Sequence, residues 1–160
     1  MRAVFEELPN ETHRVKVITH DLCAPIDNVT SAEIGEVDYI INMASNSHVD
    51  RSIADAKPFI DTNINGTLSL LTVAKNYGLQ KFVQVSTDEV YGSITRGFAT
   101  ESDLLAPNSP YAASKAAADL ICRAYGKTYN MDVRITRCSN NYGRNQYPEK
   151  VIPFFITRLI

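Results

Sequence analysis

Lys81-Phe-Val-Gln-Val-Ser-Thr-Asp-Glu-Val-Tyr-Gly92 is a strand that ends in chemistry. Phe82, Val83 and Val85 read as a short buried strand, and it runs without a spacer into two hydroxyls and two acids. In an open parallel sheet, ligands bind beyond the carboxyl ends of the strands, so Ser86, Thr87, Asp88 and Glu89 stand where such a sheet keeps its site. Turn chemistry, or the acidic first turn of a helix, also explains an Asp-Glu pair after a strand.

Working outward, the elements alternate. Toward the carboxyl end, residues 92–110 form a loop rich in Gly, Thr, Ser and Pro, long enough to cover a site or simply to lie on the surface. Ser109 then offers a helix cap and Pro110 a first-turn position for a helix reaching about Tyr129. A strand over 132–137 and a helix over 151–160 follow, with Pro153 tolerated only near the first turn. Toward the amino end, Pro58 opens a long helix with Ile60, Ile64, Leu68, Leu71 and Ala74 at helical spacing, capped by Gly78. Before it come a buried strand over 37–42, a short irregular helix over 24–34 broken by Pro25, and an alternating strand over 14–18. Strand-helix alternation without internal repeats predicts a parallel α/β sheet with helices on both faces.

Tyr111 and Lys115 lie in Ser109-Pro-Tyr-Ala-Ala-Ser-Lys115, four residues apart and so on one helix face. A phenol has a reference pKa of about 10, and a neighbouring cation favours the phenolate, which makes Tyr111 a candidate base. For an isolated Tyr-x-x-x-Lys, an exposed Tyr and Lys on an amphipathic helix is the commoner explanation.

Arg137-Cys-Ser-Asn-Asn-Tyr-Gly143 follows the strand-like Val133-Arg-Ile-Thr136. With Ser86-Thr-Asp-Glu-Val-Tyr-Gly92, Tyr111-Ala-Ala-Ser-Lys115, Ser47-His-Val-Asp-Arg-Ser-Ile53 and Gln146-Tyr-Pro-Glu-Lys-Val-Ile-Pro153, it resembles the dTDP-glucose 4,6-dehydratase family of extended short-chain dehydrogenase/reductases. The resemblance runs from about His20 to Ile160. It implies a partial Rossmann-like, doubly wound parallel sheet over residues 1–160, truncated at both ends, with 144–160 as the start of the substrate-domain region. The first glycine is Gly35, and no Gly-x-Gly-x-x-Gly occurs to receive a pyrophosphate. The opening strand of the cofactor domain and most of the smaller domain are thus expected to be missing, leaving a long sheet edge that favours an oligomer.

By that resemblance NAD is the cofactor, a dTDP-sugar the substrate, and the chemistry is distributed residue by residue. Tyr111 matches the base at the sugar C4 hydroxyl. Lys115 matches the lysine that lowers the tyrosine pKa and holds the nicotinamide ribose, and Thr87 the hydroxyl that bonds the sugar oxygen. Glu89 matches the C5 base and Asp88 the acid at the C6 hydroxyl, an elimination pair needing two protonation states. Met43, Ala44, Ser45, Thr62 and Asn141 match positions around NAD. Ser47, Asn140, Lys150 and Val151 match positions at the sugar nucleotide. Asn46 stands where the family commonly has glutamate, and Arg144 where it commonly has proline. The resemblance also implies a homodimer whose long helices form a four-helix bundle. Within the chain itself, the alanines at 112, 113, 116, 117 and 118 would let a neighbouring helix approach closely.

Sixteen basic and eighteen acidic side chains give a net charge of −2, with no basic stretch to follow a nucleic acid backbone. Cys23, Cys122 and Cys138 are widely spaced, lack a Cys-x-x-Cys pattern and read as free thiols, with no metal site. The acids of the first ten residues do not suit a signal peptide, and no apolar run has membrane-spanning length, so a reducing, cytoplasmic setting is expected. His48 has no serine-hydrolase nucleophile elbow to serve and reads as a structural hydrogen-bonding residue. Two other readings stay open: a non-catalytic, self-associating truncated relative, and a nucleotide-sugar epimerase or decarboxylase if Asp88 and Glu89 point away from the site.

Overall fold

A computed structural model describes residues 13–159 of the chain. The acidic first ten residues read above lie outside them, as does the expected helix end at Ile160. Three parallel strands, β1 (Tyr39–Asn42), β2 (Lys81–Thr87) and β3 (Val133–Cys138), form a sheet in the order β1-β2-β3. The register sets Ile40 beside Phe82 and Phe82 beside Val133. Period-two alternation therefore aligns Phe82, Gln84 and Ser86 on one face, where all three are buried. Phe82 packs there with Leu71, Ala74 and Cys122, and burying such a ring is worth about 2–3 kcal/mol, which makes it the anchor of the sheet. The α/β class with a parallel sheet is as the sequence predicts.

The core lies between that face and two helices. The first rod starts as α3 (Lys57–Phe59), widens into a π-helical segment (Ile60–Asn65), and continues as α4 (Gly66–Tyr77) to a left-handed cap at Gly78, φ 64°. The second, α5 (Pro110–Tyr129), begins where Ser109 Oγ accepts from the Ala112 amide at 3.1 Å and ends at Asn130, φ 53°. Both rods match the predicted helices except for the π segment. In a regular helix positions 59 and 71 would face about 120° apart. The wider π turn brings Phe59, Asn63 and Thr67 onto the buried side with Leu71 and Ala74, and leaves Ile60 and Leu68 of the expected stripe exposed.

Other expectations are corrected locally. Residues 14–18 form no strand, because alternation supplies side-chain pattern but no pairing partner, and Val15 and Val17 stay exposed. The strand expected to be buried over 37–42 is shorter and lies at the sheet edge, with Tyr39 57% and Ile41 65% exposed on the face away from the helices. α1 (Asn28–Ile34) is regular and starts beyond Pro25, where Asp27 Oδ1 accepts from the Thr30 amide at 2.7 Å. α2 (Val49–Ala54) has no counterpart in the sequence reading. α6 (Val151–Leu159) buries none of its residues. The loop over 92–109 folds back on the residues before it, Ala106 N donating to Val90 O at 2.9 Å, and at Gly92, φ 74°, a Cβ would meet the Ala106 oxygen at 2.1 Å.

Candidate active site

A cavity of about 550 Å³ opens at the carboxyl ends of β2 and β3. The chain beyond β1 brings Met43, Ser45 and Ser47 to it, and the end of β2 brings Ser86, Thr87 and Glu89. α5 supplies Tyr111 and Lys115, the segment after β3 supplies Asn140 and Asn141, and the start of α6 supplies Lys150 and Val151. Segments more than a hundred residues apart thus meet in one hollow, as the parallel sheet requires. None of the lining comes from the 92–109 loop.

Three of the expected residues lie outside that lining. Ala44 offers its amide to Asn42 Oδ1 at 3.2 Å. Asp88 begins the 3-10 turn Asp88–Tyr91 and accepts from Thr87 Oγ1 at 3.3 Å. Thr62 sits in the π segment, lines a separate hollow of about 530 Å³ with Asp21 and Cys23, and accepts from Asn46 Nδ2 at 3.1 Å.

Tyr111 is held hard. Its amide donates to Ser52 Oγ at 3.0 Å, and its ring meets the Phe59 ring edge-on at 6.4 Å. Burial pushes the phenol pKa above its ordinary value, and the nearby Glu89 charge adds to this, while hydrogen bonding with Thr87 pulls the other way. Lys115 stands one turn further along the same buried face of α5. Lys115 is 4% exposed and its ammonium donates to the Val85 carbonyl at 2.7 Å, and desolvation lowers its own pKa while Asp119 opposes that fall. An ammonium carries three donors, so two more N–H directions are available to hydroxyls of a bound ligand, which suits a ribose.

Glu89 is raised from the ordinary carboxylate value, first by partial burial and then by the Asp88 charge, with Lys150 acting to lower it. A carboxylate moved toward neutrality is a better proton acceptor at physiological pH. His48 has a structural hydrogen bond as expected: Nδ1 accepts from the Arg51 amide at the start of α2, at 3.5 Å. Its Nε2 lies 3.6 Å from Glu149 Oε2, which Arg51 Nη2 also reaches at 3.1 Å. This cluster ties the segment carrying Lys150 to α2, and the sequence reading missed Glu149 because Arg51 lies 98 residues away. It also missed Asn63, which accepts from the Asn46 amide at 2.8 Å and donates to Ser114 Oγ at 2.9 Å. Asp119, four residues beyond Lys115, was findable by helical spacing. Among the described residues no cluster of three or more His, Cys, Asp or Glu could hold a metal ion.

Known proteins resemble this chain in sequence and in fold. The family model described as GDP-mannose 4,6 dehydratase matches residues 2–160. A dTDP-glucose 4,6-dehydratase of Streptomyces griseus is 52% identical over 141 residues, covering 88% of this chain and 42% of that protein. The crystal structure of DesIV, a dTDP-glucose 4,6-dehydratase from Streptomyces venezuelae with NAD bound, superposes with a TM-score of 0.90 at 50% identity, over 99% of this chain and 48% of that one. A UDP-N-acetylglucosamine 4-epimerase from Methanobrevibacter ruminantium M1 follows at 29% identity and a TM-score of 0.81, covering 90% of this chain and 47% of that one. The chain therefore spans a little under half the length of the relatives it matches.

Proposed function

This chain belongs to the GDP-mannose 4,6 dehydratase family, and we propose that its cavity is the catalytic part of an NAD-dependent nucleotide-sugar 4,6-dehydratase that converts dTDP-glucose to the 4-keto-6-deoxy sugar. The observation that carries this reading is the meeting of Tyr111, Lys115, Thr87 and Glu89 around one hollow beyond the strand ends. Bound NAD supplies the acceptor, and later the donor, of a hydride. Tyr111 takes the C4 hydroxyl proton while Thr87 holds the same oxygen. Its raised pKa means that this base needs a further positive charge beside it, and a nicotinamide cation has the right sign. Lys115 fixes the ribose with the N–H groups not engaged by Val85. The 4-ketone acidifies C5, from which Glu89 removes a proton, and Asp88 protonates the departing C6 hydroxyl as water; C6 of the resulting enone then takes back the hydride and C5 a proton from Glu89, which leaves the 4-keto-6-deoxy sugar.

The remaining expected residues take supporting parts. Met43, Ala44, Ser45, Thr62 and Asn141 contact the cofactor; Ser47, Asn140, Lys150 and Val151 contact the sugar nucleotide, and 144–160 forms the start of its binding region. The partner is a second copy. Ala113, Leu120 and Ala124 are exposed along one side of α5, and Ile60 and Leu68 along the neighbouring rod, an apolar surface suited to a helix bundle across a two-fold axis. Among the described residues no helix is long and apolar enough to cross a membrane.

Calorimetric titration of NAD+ into the purified chain tests whether the cofactor site is usable. Heat at micromolar cofactor supports catalysis; none supports a self-associating relative without turnover. With dTDP-glucose, Glu89→Gln is expected to abolish water loss while NADH still forms. A 4-epimerase is the competing reading, favoured by the position of Asp88 outside the cavity lining. A product of unchanged mass would establish it.

A further inference from the structure

Asp119 is completely buried on α5, one turn beyond Lys115, yet it is a carboxylate. Its Oδ2 accepts from Arg137 Nε on β3 at 2.9 Å. Arg137 Nη1 in turn donates to the Tyr91 hydroxyl at 2.8 Å, and its guanidinium carbon lies 5.0 Å from the centre of the Tyr91 ring. Tyr91 is the last residue of the 3-10 turn that opens with Asp88 and Glu89. The register pairs Arg137 with Ser86, so the guanidinium stands beside the end of β2 from which that turn springs. One chain of contacts therefore joins the helix that carries Tyr111 and Lys115 to the turn that carries the two acids.

Stability alone explains this poorly. Desolvating two ions offsets most of their attraction, and well-packed apolar residues of equal volume commonly match or exceed a buried ion pair. What such a pair supplies is direction: a planar guanidinium presents fixed donors, and here one reaches the helix and another reaches the turn. We infer that Asp119, Arg137 and Tyr91 are positioning residues, a buried brace that fixes Glu89 relative to Tyr111 so that both address the same sugar ring. None of the three lines the cavity, so none is a catalytic residue. The brace rests on the dehydratase reading for its purpose but not for its existence.

The test is Tyr91→Phe, which removes one hydroxyl and leaves the ring. With the turn released, Glu89 gains water, and its carboxyl titration, followed by carbon-13 NMR of labelled glutamate, moves back toward the ordinary carboxylate value. With dTDP-glucose, water loss slows by about tenfold to a hundredfold, as displaced reacting groups do, while NADH formation keeps its rate. An unchanged Glu89 titration, or equal slowing of both steps, overturns the brace. If the unmodified chain shows no turnover, the functional reading falls and the Glu89 titration still decides this one. Should Tyr91→Phe fail to fold, the paired exchange of Asp119→Asn with Arg137→Met nearly keeps the volume, removes the charges and is read by the same two measurements.

Discussion

Tyr111 shows what a single residue gains and loses by being buried. Next to Lys115 in sequence terms it looks like an activated phenol, yet one N–H of the ammonium is engaged by a backbone carbonyl and the phenol pKa is raised by burial. A phenol whose pKa is higher folded than unfolded contributes stability that is complete below about pH 10 and is lost as pH rises through the folded value. Tyr111→Phe has no proton to lose. Its stability, measured by urea unfolding across pH 8–12, is expected to fall less steeply on the alkaline side than that of the parent chain. Residue identities at the site were legible because each motif carries its own chemistry: hydroxyls and acids after a strand, a phenol and an amine on one helix face. The direction of the Tyr111 shift was not, because it depends first on burial and then on Glu89, which other elements deliver.

At the scale of elements, caps and breakers were read well and registers less well. Ser109, Pro110 and Gly78 mark their helix ends as the backbone demands, since a side-chain acceptor, a missing amide and a left-handed residue each fit one position only. The π segment escaped because periodicity assumes a constant turn. It holds Asn63 under α5, where its amide makes three hydrogen bonds: from the Asn46 amide, to the Asn46 carbonyl at 3.0 Å and to Ser114 Oγ. Asn63→Ala removes all three within a buried site and is expected to cost about 2–3 kcal/mol, seen as a lower urea midpoint at unchanged slope.

For the whole molecule, the alternation of strands and helices was enough to determine a parallel α/β sheet, because only crossover connections join parallel neighbours and ligands then gather at the carboxyl edge. Ala112, Ala116 and Ala118 turn inward to the core, and Ala113, Leu120 and Ala124 remain outside, a division no composition could reveal. Leu120, 52% exposed at the middle of that outer side, is where the proposed two-fold bundle is most vulnerable. Leu120→Glu is expected to sediment as a monomer with the parent's circular dichroism, against a dimeric parent chain; a monomeric parent would dispose of the bundle. By itself the sequence determined the fold class, the helix ends and which side chains have the chemistry, since those follow from local sterics and side-chain type. Only the tertiary structure decided which of them share a cavity, that Ala44, Thr62 and Asp88 are not in its lining, and how burial shifts the groups that remain, because desolvation and charge act through space between segments the chain separates widely.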